Sequence, residues 1–156
     1  MDDAVFERIA LEIKALHNQG LQCIKEGQWD EAEEYYNRAL GVTSALQYHD
    51  GMALSFFNLA NLEAARGRIL EAIAYAAQAK TMHETAATDP QLSVNLLKRL
   101  AKEAMKQGMQ QEKQGQLQEA LKFYTASIPF AEPKYQQAMI QEVQLIERVM
   151  TVDRTE

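Results

Sequence analysis

The sequence predicts an all-α fold, a right-handed α-α superhelix of three antiparallel helix pairs with a seventh helix at the C-terminus, and two observations carry that expectation. One short pattern of small residues occurs three times: Gly20, Gly27 and Ala32 return as Ala60, Gly67 and Ala72, and again as Gly108, Gly115 and Ala120. In each copy the turn glycine lies 7 residues after the first small residue and 5 before the alanine, so the copies align without gaps. The second observation is how little interrupts the chain between these turns. Only 7 Gly and 3 Pro occur in 156 residues, and residues 92–115 hold no proline while Leu96, Leu97, Leu100, Ala101, Ala104 and Met105 keep helical spacing.

The elements follow in order. Helices are expected over 3–27 and 30–47 in the first pair, 50–66 and 69–87 in the second, 90–114 and 117–131 in the third, and 134–151 at the end. A small residue at 20, 60 or 108 lets the second helix of a pair cross close to the first, and the glycine at 27, 67 or 115 supplies the left-handed conformation that ends the first helix. Asp30, with Gln28 as the weaker alternative, reads as the cap of the second helix, and Asp50 as the cap of the third. Trp29, Ile69 and Leu117 stand where an apolar side chain covers the end of each pair. Asp89-Pro90 has the form of a helix start, an Asp cap followed by a Pro at the first position. Pro129 should shorten the sixth helix and Glu132-Pro133 should close it. In the last helix Tyr135, Met139, Val143, Ile146 and Met150 recur at steps of 4, 4, 3 and 4, a stripe able to cover the open end of the array. The whole is expected to be a single domain over residues 1–156, with repeats at about 3–47, 50–87 and 90–131 and a capping helix at about 134–151.

These residues carry a resemblance. Leu16, Gly20, Cys23, Ala32, Tyr36 and Ala39 in the first pair, Phe56, Leu59, Ala60, Ala72 and Ala79 in the second, and Gly108, Ala120 and Tyr124 in the third are similar to the motif of the tetratricopeptide repeat family. The resemblance runs over about residues 12–131. Ala104 takes the bulky site of the third copy, and none of the three has the family's terminal proline. The period is lengthened from the family's usual ~34 residues to 40 between Ala32 and Ala72 and 48 between Ala72 and Ala120. The resemblance implies a helical solenoid that binds proteins or peptides and no cofactor.

Composition bounds the function. With 16 Lys+Arg against 22 Asp+Glu the formal charge is −6, which argues against a nucleic-acid partner or an anionic membrane surface unless positive charge is gathered in one place. The start is acidic, unlike a secretory signal, and no apolar run reaches the roughly 18 residues of a membrane span, so a cytoplasmic location is expected. No glycine-rich phosphate loop, nucleophile elbow or His-Glu-x-x-His motif occurs, and an enzyme is not expected. The acids Asp30, Glu31, Glu33 and Glu34 sit where they favour a helix dipole. His17, His49 and His83 fall at three different places in the repeat and should be spread along the array, so no metal site is expected. The single cysteine, Cys23, occupies an inward-packing position and reads as a buried thiol.

In tetratricopeptide arrays the first helices of the pairs line a concave groove. The register places Lys14, His17, Asn18, Leu21, Ile24 and Lys25 on that face from the first pair, and Leu54, Phe57, Asn58, Asn61, Ala64 and Ala65 from the second. The third pair contributes Lys102, Met105, Lys106, Met109, Glu112 and Lys113. Five lysines and one glutamate on one face of an acidic chain imply a basic and apolar groove for a protein or peptide with acidic and apolar residues. Lysines supply point charges, Asn58 and Asn61 supply amides, and Leu21, Phe57, Met105 and Met109 supply adaptable apolar contact. The family's chaperone-binding branch holds a carboxylate with Lys, Asn and Arg. By register Asn58 and Lys102 match that clamp, while Lys106 replaces Arg, His17 replaces Lys and Leu21 replaces Asn. The expected function is therefore a non-enzymatic interaction module or adaptor. Two alternatives remain open at this point: a small cytoplasmic chaperone of a secreted client, and a structural subunit forming a homo-oligomer through its terminal helix, with Met139 and Ile146 as the contact.

Overall fold

A computed structural model describes residues 2–153, and every regular element among them is a helix. The helices are α1 (Asp3–Lys25), α2 (Trp29–Ala45), α3 (His49–Ala65), α4 (Ile69–Thr85), α5 (Gln91–Lys113), α6 (Leu117–Ser127) and α7 (Pro133–Val152), with a 3-10 turn at Ile128–Phe130 after α6. The predicted all-α architecture of three helix pairs and a terminal helix is thus present. Internal contacts group the chain into two compact units, Met1–Ser93 and Val94–Glu156.

The three turn glycines adopt left-handed conformations, with φ of 74° at Gly27, 77° at Gly67 and 75° at Gly115. Each ends its helix in the same way. The N–H one residue past the glycine reaches back to the last helical turn, from Gln28 to the Cys23 carbonyl at 2.8 Å, from Arg68 to Glu63 at 2.9 Å and from Gln116 to Gln111 at 2.9 Å. The connections between pairs use the same turn without glycine: Gln47 has φ 52° and Ala87 φ 53°, and the N–H groups of Tyr48 and Thr88 bond back to Thr43 and His83 at 2.9 Å each.

This geometry corrects two expected caps. The residue after the left-handed one becomes the N-cap, so α2 starts from Gln28 and α3 from Tyr48, neither with a side-chain cap bond. Asp30 and Asp50 lie inside the first turns of α2 and α3, where their charges still favour the helix dipole. Asp89 does accept from the Gln91 N–H at 2.9 Å, as its place before Pro90 predicts. The proline at 129 ends α6 at Ser127, as expected.

In the first unit α1 packs on α2, α2 on α3 and α3 on α4. The crossings are matched in size. A Cβ on Gly20 would lie 2.4 Å from Cε1 of Tyr36, whereas the second pair sets buried Ala60 and Ala76 at the corresponding positions. Tyr36 joins Cys23, Ala32, Leu59 and Leu62 in the core, and Cys23 is a buried free thiol as predicted. Arg66, at the end of α3, adds a polar tie: it donates to Asp30 at 2.7 Å and Glu33 at 2.8 Å on α2 and to Glu63 at 3.0 Å on its own helix.

In the second unit α6 repeats the first crossing. A Cβ on Gly108 of α5 would lie 2.7 Å from Cε1 of Tyr124. The predicted stripe of α7 covers this hairpin, Met139 and Ile146 packing with Ala120 and Tyr124 and joined by Tyr135, Val143 and Met150.

Candidate functional site

The first unit holds a cleft of about 530 Å³ along the open face of α1 and α3. Helical spacing explains who lines it. From α1 come Ala10, Ile13, Lys14, His17, Asn18 and Leu21, at steps of 3, 1, 3, 1 and 3, and from α3 come Gly51, Leu54, Phe57 and Asn58. The walls are mainly apolar, and Leu21 and Leu54, each 46% exposed, stand open to solvent. Its size and its few polar groups fit a cavity for a partner side chain or small ligand.

His17 departs from the expected exposure. It is only 5% exposed, and its Nε2 lies 3.0 Å from the Ser55 hydroxyl, which itself donates to the Gly51 carbonyl at 3.1 Å. The α1–α3 crossing is close enough to draw the imidazole inward, where burial lowers its pKa from 6.5. Asn61 is also less available than its register suggests, because its amide donates to the Phe57 carbonyl at 3.0 Å, and it lies outside the cleft. Lys14 is exposed, and among the described residues it has no ion pair. Asn18 and Asn58 complete the polar margin.

Seven lining groups were not foreseen: Ala10 and Ile13 of α1, Tyr48, Asp50 and Gly51 around the start of α3, and two from further elements. His83, from the last turn of α4, and Leu92, from the first turn of α5, reach the same cleft. The expected spread of the histidines is thereby corrected: His17 and His83 share a cavity while His49 does not line it. His83 Nδ1 lies 2.8 Å from the Thr88 hydroxyl and 3.4 Å from Asp50, and Thr88 lies 3.0 Å from Asp50. The left-handed turn at Ala87 folds Thr88 back onto α4 and so builds this group. No cluster of three or more His, Cys, Asp or Glu suited to a metal occurs among the described residues. Burial, and then the charges of Glu26 and Glu31, push the Cys23 thiol up and disfavour its thiolate.

The second unit places the remaining predicted residues by itself. Met105 and Met109 line a cleft of about 290 Å³ with Glu112, Tyr124, Met139 and Glu142. Met105 also packs into that unit's core, so it is less open than expected. Glu112 accepts from the Tyr124 hydroxyl at 2.8 Å, and its hydrogen bond with Glu142, followed by burial, raises the pKa of Glu142. Lys102 and Lys106 are exposed, Lys102 beside Tyr135 and Glu132 and Lys106 outside both clefts.

Residues 11–85 match the tetratricopeptide repeat family. That stretch carries tetratricopeptide repeats. The match covers α2, α3 and α4 entire and residues 11–25 of α1, and the third pair reproduces the α1–α2 crossing through Gly108 and Tyr124. No curated protein matches the chain in sequence. Among solved structures, the N-terminal domain of stress-induced protein-1 from C. elegans aligns with 89% of this chain and 97% of its own at 17% identity and a TM-score of 0.47. The type III secretion translocator chaperone SycD of Yersinia enterocolitica aligns with 89% of this chain and 86% of its own at 13% identity and a TM-score of 0.42. Neither likeness bears on what the chain binds. Tetratricopeptide repeats suggest protein–protein interaction, and no helix among the described residues is long and apolar enough to cross a membrane.

Proposed function

We propose that the chain is a non-enzymatic, cytoplasmic interaction module that receives a segment of a partner protein in the α1–α3 cleft. The observation that carries this reading is the cleft itself: two helices present an open apolar trough, with Lys14, Asn18 and Asn58 at its margin. Leu21, Leu54 and Phe57 would anchor an apolar side chain, and Lys14 would steer an acidic neighbour. In the second unit Lys102, Lys106 and Met109 would add a further contact for an acidic and apolar partner.

Affinity capture from the source organism tests this, comparing wild type with Leu54→Asp and with Lys102→Glu/Lys106→Glu. A partner captured by wild type and lost with Leu54→Asp supports the cleft, and its loss with the double variant as well extends the interface to the second unit. A partner retained by both variants would discard this interface.

A second reading, self-association through α7, is favoured by a separate observation. Met139 and Ile146 are buried in the second unit and so are not the contact first expected, but Leu145, Val149 and Val152 are 54%, 44% and 60% exposed at steps of 4 and 3 on the same helix. Light scattering of Leu145→Glu/Val149→Glu decides it: an oligomer of wild type that becomes a monomer in the variant supports an α7 interface, and an unchanged mass rejects it.

A further inference from the structure

We propose that the α1–α3 cleft takes up its partner together with a proton: the occupant is an apolar side chain with a carboxylate beside it, and His17 carries the proton that meets this carboxylate. The inference rests on reading the cleft as the partner site. Its basis is the bonding of His17. The single hydrogen of Ser55 is given to the Gly51 carbonyl, so the serine oxygen can only accept from Nε2 of His17. The neutral ring thus holds its hydrogen on Nε2, and Nδ1 is the one position left for a second proton.

The groups facing His17 determine when that proton arrives. α1 itself presents Lys14 and Asn18, α2 the Tyr36 ring at 6.1 Å, α3 Asp50, and α4 His83, with Tyr48 on the connection before α3. Asp50 is the one anion among them, and it is engaged by Thr88 and His83. In the empty cleft an imidazolium would be largely desolvated beside Lys14 with no free counter-charge, which favours the neutral ring. A carboxylate entering the cleft supplies the missing anion for both Lys14 and His17. Linkage makes the effect reciprocal: the carboxylate draws a proton onto Nδ1, and the proton tightens the carboxylate. An apolar partner without an acid gains nothing from it.

The sign follows. Burial holds His17 below its ordinary 6.5, and the bound carboxylate raises it again, so between the two values binding consumes a proton and affinity rises as pH falls. One proton changes affinity by at most about tenfold per pH unit, and about three- to tenfold is expected between roughly pH 7.5 and 5.5.

The probe comes from a random peptide library selected on the full chain near pH 6, with the Leu54→Asp protein as counter-target. Enriched sequences should pair an apolar residue with Asp or Glu, and a synthetic copy should bind about three- to tenfold tighter near pH 5.5 than near pH 7.5. Replacing its acid by the amide, or replacing His17→Gln in the protein, should remove the pH dependence. NMR titration of the His17 ring in wild type should show its pKa rising on addition of the peptide, a readout that stands if His17→Gln does not fold. If no peptide distinguishes wild type from Leu54→Asp, the cleft is not a partner site and both readings fall. Peptides that make this distinction but bind equally at both pH values, lack an acid, or keep their pH dependence in His17→Gln overturn the proton coupling alone.

Discussion

Tyr36 and Tyr124 occupy equivalent places in two crossings but differ at one atom. The Tyr124 hydroxyl has Glu112 as acceptor, and the position equivalent to Glu112 in the first pair, four residues after the small residue, is Ile24. Tyr36 is therefore fully buried with a hydroxyl that has no partner. Tyr124→Phe should lower stability by about 1 kcal/mol, whereas Tyr36→Phe should leave it unchanged or raise it, since it removes a polar atom that folding strands. Urea titration of both variants checks this, and equal losses would refute the difference. Burial, with a smaller effect of Cys23, pushes the Tyr36 hydroxyl up to about 12. The unfolded chain releases that proton near 10, so the stability is complete below pH 10 and falls as pH rises towards 12. In Tyr36→Phe this alkaline loss should be shallower, by up to about 1.4 kcal/mol per pH unit. At the same crossing Gly20→Ala brings a methyl against the ring and should cost about 1–3 kcal/mol.

At the scale of elements, the turns show what can be read in advance. Gly27, Gly67 and Gly115 announce their left-handed conformation, because glycine alone adopts it without a Cβ penalty. Gln47 and Ala87 make the same turn with nothing in their type to reveal it, which hid the start of α3 behind Asp50; at Asp30 the turn glycine was legible, but the residue directly after it, and not the aspartate, is where α2 begins. The same freedom makes Ala87→Gly a stabilising change of about 0.5–1 kcal/mol, measurable by thermal unfolding, and a loss of stability would show that the turn carries no strain. Arg66 was likewise invisible, since its three carboxylates come from two helices and only folding gathers them. Arg66→Ala leaves Glu63, only 4% exposed, with Arg68 at 3.4 Å as its remaining partner, and should cost about 3 kcal/mol. A cost near zero would mean that Arg68 suffices.

For the molecule as a whole, the two units carry opposite responses to acid. In the first, His17 is buried neutral, so its contribution is present above 6.5 and lost as pH falls through its lowered value. In the second, the proton held between Glu142 and Glu112 has a raised pKa, so its contribution is present below the ordinary 4.5 and lost as pH rises through the raised value. Calorimetry with hydrogen exchange should show Met1–Ser93 losing stability first between about pH 7 and 5 while Val94–Glu156 holds, and identical shifts would refute the assignment. The cleft was half legible at this scale: the α1 and α3 residues follow from helical register, but His83 and Leu92 arrive from elements adjacent only after folding. Register alone likewise could not show that Lys14 and Lys102 fall in different compact units.

The matched crossings have a consequence for descent. Glycine faces a tyrosine ring in the first and third pairs, and two buried alanines, Ala60 and Ala76, take these places by register in the second, so each position is free only as far as its opposite number allows. Among related chains these two sites should mutate in step, the one gaining volume as the other gives it up. An intermediate in which a ring meets an alanine would be purged, and a history of paired exchanges, rather than independent drift, should mark every copy of the repeat.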